Sequence, residues 1–286
     1  MMEHEAPGLQ ADWLNGWLAA IGVTVLVPGA RLRWTSDGVP HAVFDQPADL
    51  ATVVAGALPT TGTLARSAIV RTLPGTEHEF GRNVTLAAFQ ERAIAERRSG
   101  DGVLAASVSD LNASAKPSDL DHGAFDPPAP HGETLWSRAT ACARALAKTD
   151  LAERVRDTFR GSGQRDALNG LGFDARRFPR GMHPKGTVSV CADPVVELLT
   201  FAALPLFPVR GDGRRVRQRL WTDNASRRGA FQWPAWRPAL DRWGIDALLD
   251  LPSSGPCGLI LATFRVVPYR PDGNESNRAY FAERVS

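Results

Sequence analysis

Residues 11–44 read ADWLNGWLAAIGVTVLVPGARLRWTSDGVPHAVF, and a change of period inside this stretch decides the class of fold. Together with Leu9 just upstream, Trp13, Trp17, Leu18 and Ile21 recur at three- and four-residue spacing, which predicts an amphipathic helix entered near Asp12 and ended by Gly22. Beyond Gly22 the β-branched residues and the turn pairs Pro28-Gly29 and Asp37-Gly38 predict a three-stranded meander.

Outward from there the same reading alternates without a regular βαβ order. Helices are expected over 47–57, 84–98, 133–148, 151–159, 194–204 and 238–249, and strands over 64–72, 103–108, 214–221, 229–233, 258–269 and 279–285. In the 84–98 helix Glu91, Arg92, Glu96 and Arg97 are read as a solvated face. The 194–204 helix is the strongest: Asp193-Pro194 supplies an N-cap and a favourable first residue, and VVELLTFAAL is apolar around most of its circumference, so it should be buried. The sum is an α+β fold with a mixed, mostly antiparallel sheet and packed helices. Residues 112–132, NASAKPSDLDHGAFDPPAPHG, are too polar and proline-broken for regular structure. They divide the chain into an N-terminal region 1–111, a linker or mobile loop 112–132, and a C-terminal region 133–286 with a basic face.

That basic face is a matter of position. From Arg154 to Arg237 sixteen basic residues stand against seven acidic ones, a local charge of +9 in a chain whose net charge is +2. Thirty of the basic residues are arginines and three are lysines; that choice reflects a base composition favouring Arg codons, but base composition acts everywhere equally and does not gather charge in one segment. A local basic field attracts a polyanion even where the average charge is near zero.

The sharpest pattern inside it is RRVRQRLW, residues 214–221. As a strand it would set Arg215, Arg217, Arg219 and Trp221 on one face at roughly 7 Å intervals, near the spacing of successive phosphates. Arg214, Arg227 and Arg228 add charge, and Trp233 and Trp236 add aromatic faces for base stacking. A solvated edge strand carrying charge against aggregation has the same pattern. A second group, Arg176, Arg177, Arg180 and Lys185, lies in a Gly- and Pro-containing segment.

Other functions lack a signature. The six histidines form no HExxH, HD or helical i,i+4 pair, so no metal site is expected. GxSxG and SxxK are missing, Glu197 has no evident partner, and GSG and GLG at 161–163 and 170–172 match no nucleotide fingerprint, so neither catalytic residues nor a cofactor are assigned. Cys142, Cys191 and Cys257 are odd in number and far apart, and the start MMEHEAPGLQADW lacks a secretory pattern. A soluble cytoplasmic protein without membrane contact is expected.

Two groups of segments carry a resemblance. ADWLNGWLAAIGVTVLV with its WTSDG hairpin, and then LGFDARRF, DPVVELLTFAALPLFPVRGDG, RRVRQRLWT and FQWPAWRPAL, together about a third of the chain, resemble accessory or large-subunit-like proteins of type I-G (formerly I-U) CRISPR effector modules. The shared features are hydrophobic patterns, and this chain is far shorter than the larger members. The resemblance implies a non-enzymatic subunit of a ribonucleoprotein, working beside other effector subunits on guide RNA or target DNA, with Arg214, Arg215, Arg217, Arg219 and Trp221 as the matching basic strand. Two other readings stand beside it: an enzyme on a phosphorylated or nucleotide substrate with arginine clamps, and a pure assembly subunit.

Overall fold

The structure is a computed structural model and describes residues 2–46, 48–66, 86–99, 102–110, 121–123, 125, 135–172, 174, 190–211, 216–222, 230–251, 258–269 and 279–285. It is an α+β fold built from small antiparallel sheets and packed helices. None of the described helices is long and apolar enough to cross a membrane.

The opening stretch forms helix α1, Leu14–Leu26, which continues a turn beyond the expected stop. Leu14 to Thr24 are all buried, so the helix is surrounded rather than amphipathic. Gly22 does not end it. A Cβ at Gly22 would overlap the carbonyl oxygen of Leu199, so the glycine is there to let a second helix approach. That partner is α8, Pro194–Ala203, buried along its whole length and N-capped as expected, with the Asp193 carboxylate accepting from the Val195 amide.

The first sheet is three-stranded, but not a meander. Its members are β1 (Met2–Gln10), β2 (Arg31–Trp34) and β3 (His41–Gln46), in the order β1-β3-β2. VTVLV contributes to α1 instead of a strand, and β1 comes from the segment before it. Burial outweighs β-branched propensity here. The signal for β1 was hidden because its register shifts between Ala6 and Gln10, which breaks the alternation.

Helices α2 (Leu50–Ala57) and α3 (Thr61–Ala65) follow; of the expected strand 64–72, Leu64 and Ala65 are helical, Arg66 caps the helix, and 67–72 lie outside the described residues. In α4 (Leu86–Ser99) Glu91 and Arg97 face solvent, but Arg92 and Glu96 are buried, so the expected solvated face is split. Glu96 turns inward to accept the Leu104 amide. Residues 103–108, expected as a strand, instead make the short helix α5 (Leu104–Ser107) and the first residue of the two-residue strand β4 (Val108–Ser109), which pairs with β5 (Asp121–His122). Phe125, also within the expected linker, joins the main core.

Helices α6 (Leu135–Leu146) and α7 (Leu151–Arg160) precede α8. After it come the hairpin β6–β7 (Val209–Gly211 and Val216–Gln218) and a sheet ordered β10-β9-β8, with β8 Phe231–Trp236, β9 Ile260–Tyr269 and β10 Ala279–Val285; helix α9, Arg242–Leu249, sits between β8 and β9. The two sheets meet at Trp17, whose ring lies 5.8 Å from Phe207, 6.2 Å from Phe231 and 6.4 Å from Trp236. Trp233 and Trp236 are fully buried, each donating its indole N–H to a backbone carbonyl of the N-terminal region, at Ala11 and Leu32.

Close helix approach at one glycine and open space at another give a paired prediction. Gly22→Val should cost on the order of 3 kcal/mol or more through overpacking against Leu199. Gly56→Ala, in α2 with nothing near its missing Cβ, should raise stability by about 0.4–1 kcal/mol. Chemical denaturation of both variants checks the pair.

Candidate nucleic-acid interface

Of the eleven residues expected to contact nucleic acid, Arg217, Arg219 and Trp221 fall among the described residues. Arg214, Arg215, Arg227, Arg228, Arg176, Arg177, Arg180 and Lys185 lie outside them. The expected strand is also shorter than 214–221: β7 stops at Gln218, and Arg219 and Leu220 form a turn. Leu220 has φ of +67°, a left-handed conformation that few non-glycine residues adopt. The chain reverses there, so the two-residue alternation does not carry through to Arg219 and Trp221.

Each of the three then has its own setting. Arg217 is exposed. It pairs directly across the hairpin with Arg210, whose side chain is also exposed, 3.4 Å from a carboxylate oxygen of Asp250. Arg219, by contrast, has a side chain only 5% exposed. Its Nε and Nη2 donate to the two oxygens of Asp250 at 3.0 and 2.8 Å, and Nη1 donates to Asp246 at 2.6 Å and to the Leu206 carbonyl at 2.9 Å. Helix α9 makes this possible, since residues four apart share a face and Asp241 caps its start by accepting from the Gly244 amide. Trp221 packs its ring 5.5 Å from Phe231 and forms a bridge with it, extending the edge of β8.

The aromatic expectation is also redistributed. Trp233 and Trp236, proposed for base stacking, are core residues, whereas Trp243 on α9 is 69% exposed. Burial of Gln218 under the hairpin, with Nε2 donating to the Ala106 and Phe207 carbonyls, anchors the strand that carries Arg217. A polar side chain between arginines gives no sequence signal for that role.

A separate half-open pocket of about 210 Å³ lies between the β1 irregularity and the start of α8, lined by Gln10, Trp13, Arg165, Asp174, Asp193 and glycines. Asp174 accepts from the Trp13 indole at 2.7 Å and from Arg165 at 3.5 Å, and Arg165 also donates to the Cys191 carbonyl. Asp193 accepts from the Thr158 hydroxyl at 2.8 Å. Burial raises the Asp193 pKa, opposed by the bonds from Thr158 and the Val195 amide and by the charge of Arg154. With two carboxylates and one arginine already committed to one of them, this pocket does not suit an anionic ligand. Among the described residues no His, Cys, Asp and Glu cluster could hold a metal ion.

The fold and surface thus define an α+β protein with an arginine-bearing hairpin. No protein-family model, curated protein or solved structure matches the chain.

Two outcomes follow from these contacts. Arg219→Ala should lower stability by about 1–3 kcal/mol, because it leaves Asp246 and Asp250 facing each other without their shared cation, while Arg217→Ala should stay within about 0.5 kcal/mol of the parent; urea unfolding separates them. Asp193 has a folded pKa above its ordinary 3.8, so the fold binds that proton more tightly than the unfolded chain does. Its contribution is fully present below pH 3.8 and is lost as pH rises through the folded value. The stability of the parent relative to Asp193→Asn should therefore fall as pH rises above 3.8, measured as unfolding free energy against pH.

Proposed function

We propose that this protein is a non-catalytic nucleic-acid-binding subunit of a CRISPR ribonucleoprotein surveillance complex, holding the backbone of guide RNA or target DNA against its basic segment in the cytoplasm. The observation that carries the binding reading is the exposed Arg210–Arg217 pair across the β6–β7 hairpin. Directly opposite positions on adjacent antiparallel strands put both guanidiniums on the same surface, and an anion lying over the pair would accept from each. The +9 segment in which they sit supplies the longer-range field. The resemblance of the helix, basic-strand and tryptophan-proline segments to type I-G modules supplies the setting and the other subunits as neighbours.

Arg219 has a different part in this reading. Held by Asp246 and Asp250, it fixes the hairpin to α9 and leaves phosphate contact to Arg210 and Arg217. An enzyme that clamps a phosphorylated substrate would need a pocket in which cations outnumber acids, and the pocket at Arg165 has the opposite balance.

Anisotropy titrations of fluorescent single-stranded RNA and DNA across salt test the proposal. The logarithm of affinity should fall linearly with the logarithm of salt concentration, and the paired reversal Arg210→Glu with Arg217→Glu should reduce the slope by roughly one to two units. Absence of binding at low salt, both alone and within an assembled complex, would overturn it. A reversal that blocks assembly but leaves affinity unchanged would assign the basic face to protein contacts.

A further inference from the structure

We infer that Trp243, with Arg242 set over its ring, is a stacking platform for an unpaired nucleobase. The inference rests on the nucleic-acid reading above and adds to it a single-stranded ligand. All eight tryptophans lie among the described residues, and Trp243 is the one that is exposed. A tryptophan offers 150–250 Å² of surface to burial, so an indole left 69% exposed forgoes most of that gain. The Arg242 guanidinium carbon lies 5.0 Å from its ring centroid, and Arg242 Nε is buried with no hydrogen-bond partner. An aromatic face beside a guanidinium is the combination that sequence-tolerant strand binding uses, the ring taking the base and the cation favouring the phosphate.

Position links the platform to the hairpin. Trp243 and Asp246 on α9 and Asp250 at its C-cap follow one another at three- and four-residue steps and so share a face. Asp246 and Asp250 would repel a phosphate, but two guanidiniums face the two carboxylates, Arg219 bonding both and Arg210 approaching Asp250, so the four side chains together carry no net charge. A strand whose base rests on Trp243 therefore passes over compensated carboxylates and reaches Arg210 and Arg217 after about 10 Å of helix. A duplex does not fit this arrangement, because its bases present no free face.

The test uses the full chain and two oligonucleotides of equal length and charge, one with bases and one with abasic sites throughout. Trp243→Ala should weaken binding of the base-bearing strand by between about 5- and 100-fold, leave the abasic strand unchanged and leave the salt slope unchanged. Trp243→Phe should retain most of the affinity. Equal affinity of Trp243→Ala and the parent for the base-bearing strand, while Arg217→Glu weakens both strands, overturns the platform and leaves the backbone reading intact. If the parent binds neither strand at low salt, both fall. If Trp243→Ala alters only association with other protein subunits, the indole is a protein contact and the platform is overturned.

Discussion

Glu197 is a carboxylate buried where α1 crosses α8, and the packing of both halves of the chain depends on its being satisfied there. Asn15 Nδ2 donates to one oxygen at 3.0 Å and the Leu171 amide to the other at 2.7 Å. A charge left without such partners in the interior would cost several kcal/mol. The bonds in turn fix the crossing: Thr200 donates to the Asn15 carbonyl from the same helix, and Gly22, about two turns along α1 from Asn15, leaves room for Leu199. Gly170 is constrained by the same group, since a Cβ there would fall 2.6 Å from the Glu197 carboxyl carbon. The field extends to Cys142, whose thiol is pushed up by burial first and by Glu197 second, with Arg138 acting against them. A reactive thiolate is therefore disfavoured at Cys142.

Around that crossing, the aromatic core ties the first sheet to the last. Trp17 donates to the Pro234 carbonyl, Trp233 to Ala11 and Trp236 to Leu32, each bond joining residues more than two hundred positions apart. Burying an indole is favourable only when its N–H finds an acceptor, so these three bonds convert a non-directional driving force into a specific registration. Pro234 fits the scheme because β8 is an edge strand, where a missing N–H is tolerated.

Local signals were legible and long-range ones were not. The helix at Pro194–Ala203 was readable because its cap, its proline and its apolar run all lie within twelve residues. The extent of α1 was not, because Gly22 has the same identity whether it stops a helix or admits Leu199. The basic hairpin shows the same limit at the site. Alternation placed Arg217 on a surface, as the structure does, but it extended the strand through Leu220, whose left-handed backbone no propensity foretells. Nothing near Arg219 in sequence indicates Asp246 and Asp250, which lie 27 and 31 residues away. Equally, Trp233, Trp236 and Trp243 look alike as a cluster of aromatics, and only the strand-to-helix change between them separates two core indoles from an exposed one.

The fate of Arg219 changes how the charge excess should be read. A count of +9 treats every arginine as available to a polyanion, yet a guanidinium bonded to two carboxylates adds no positive field of its own and cannot offer its donors outward. Its acids also come from outside the counted segment, since Asp246 and Asp250 follow Arg237. The part of the excess that can meet a partner is therefore smaller than the sequence count and is directed by the acids at α9, which bond Arg219 and approach Arg210, while Arg217 lies at the surface. A basic segment becomes a basic face only where the fold withholds its acids, and at this hairpin the fold supplies them selectively.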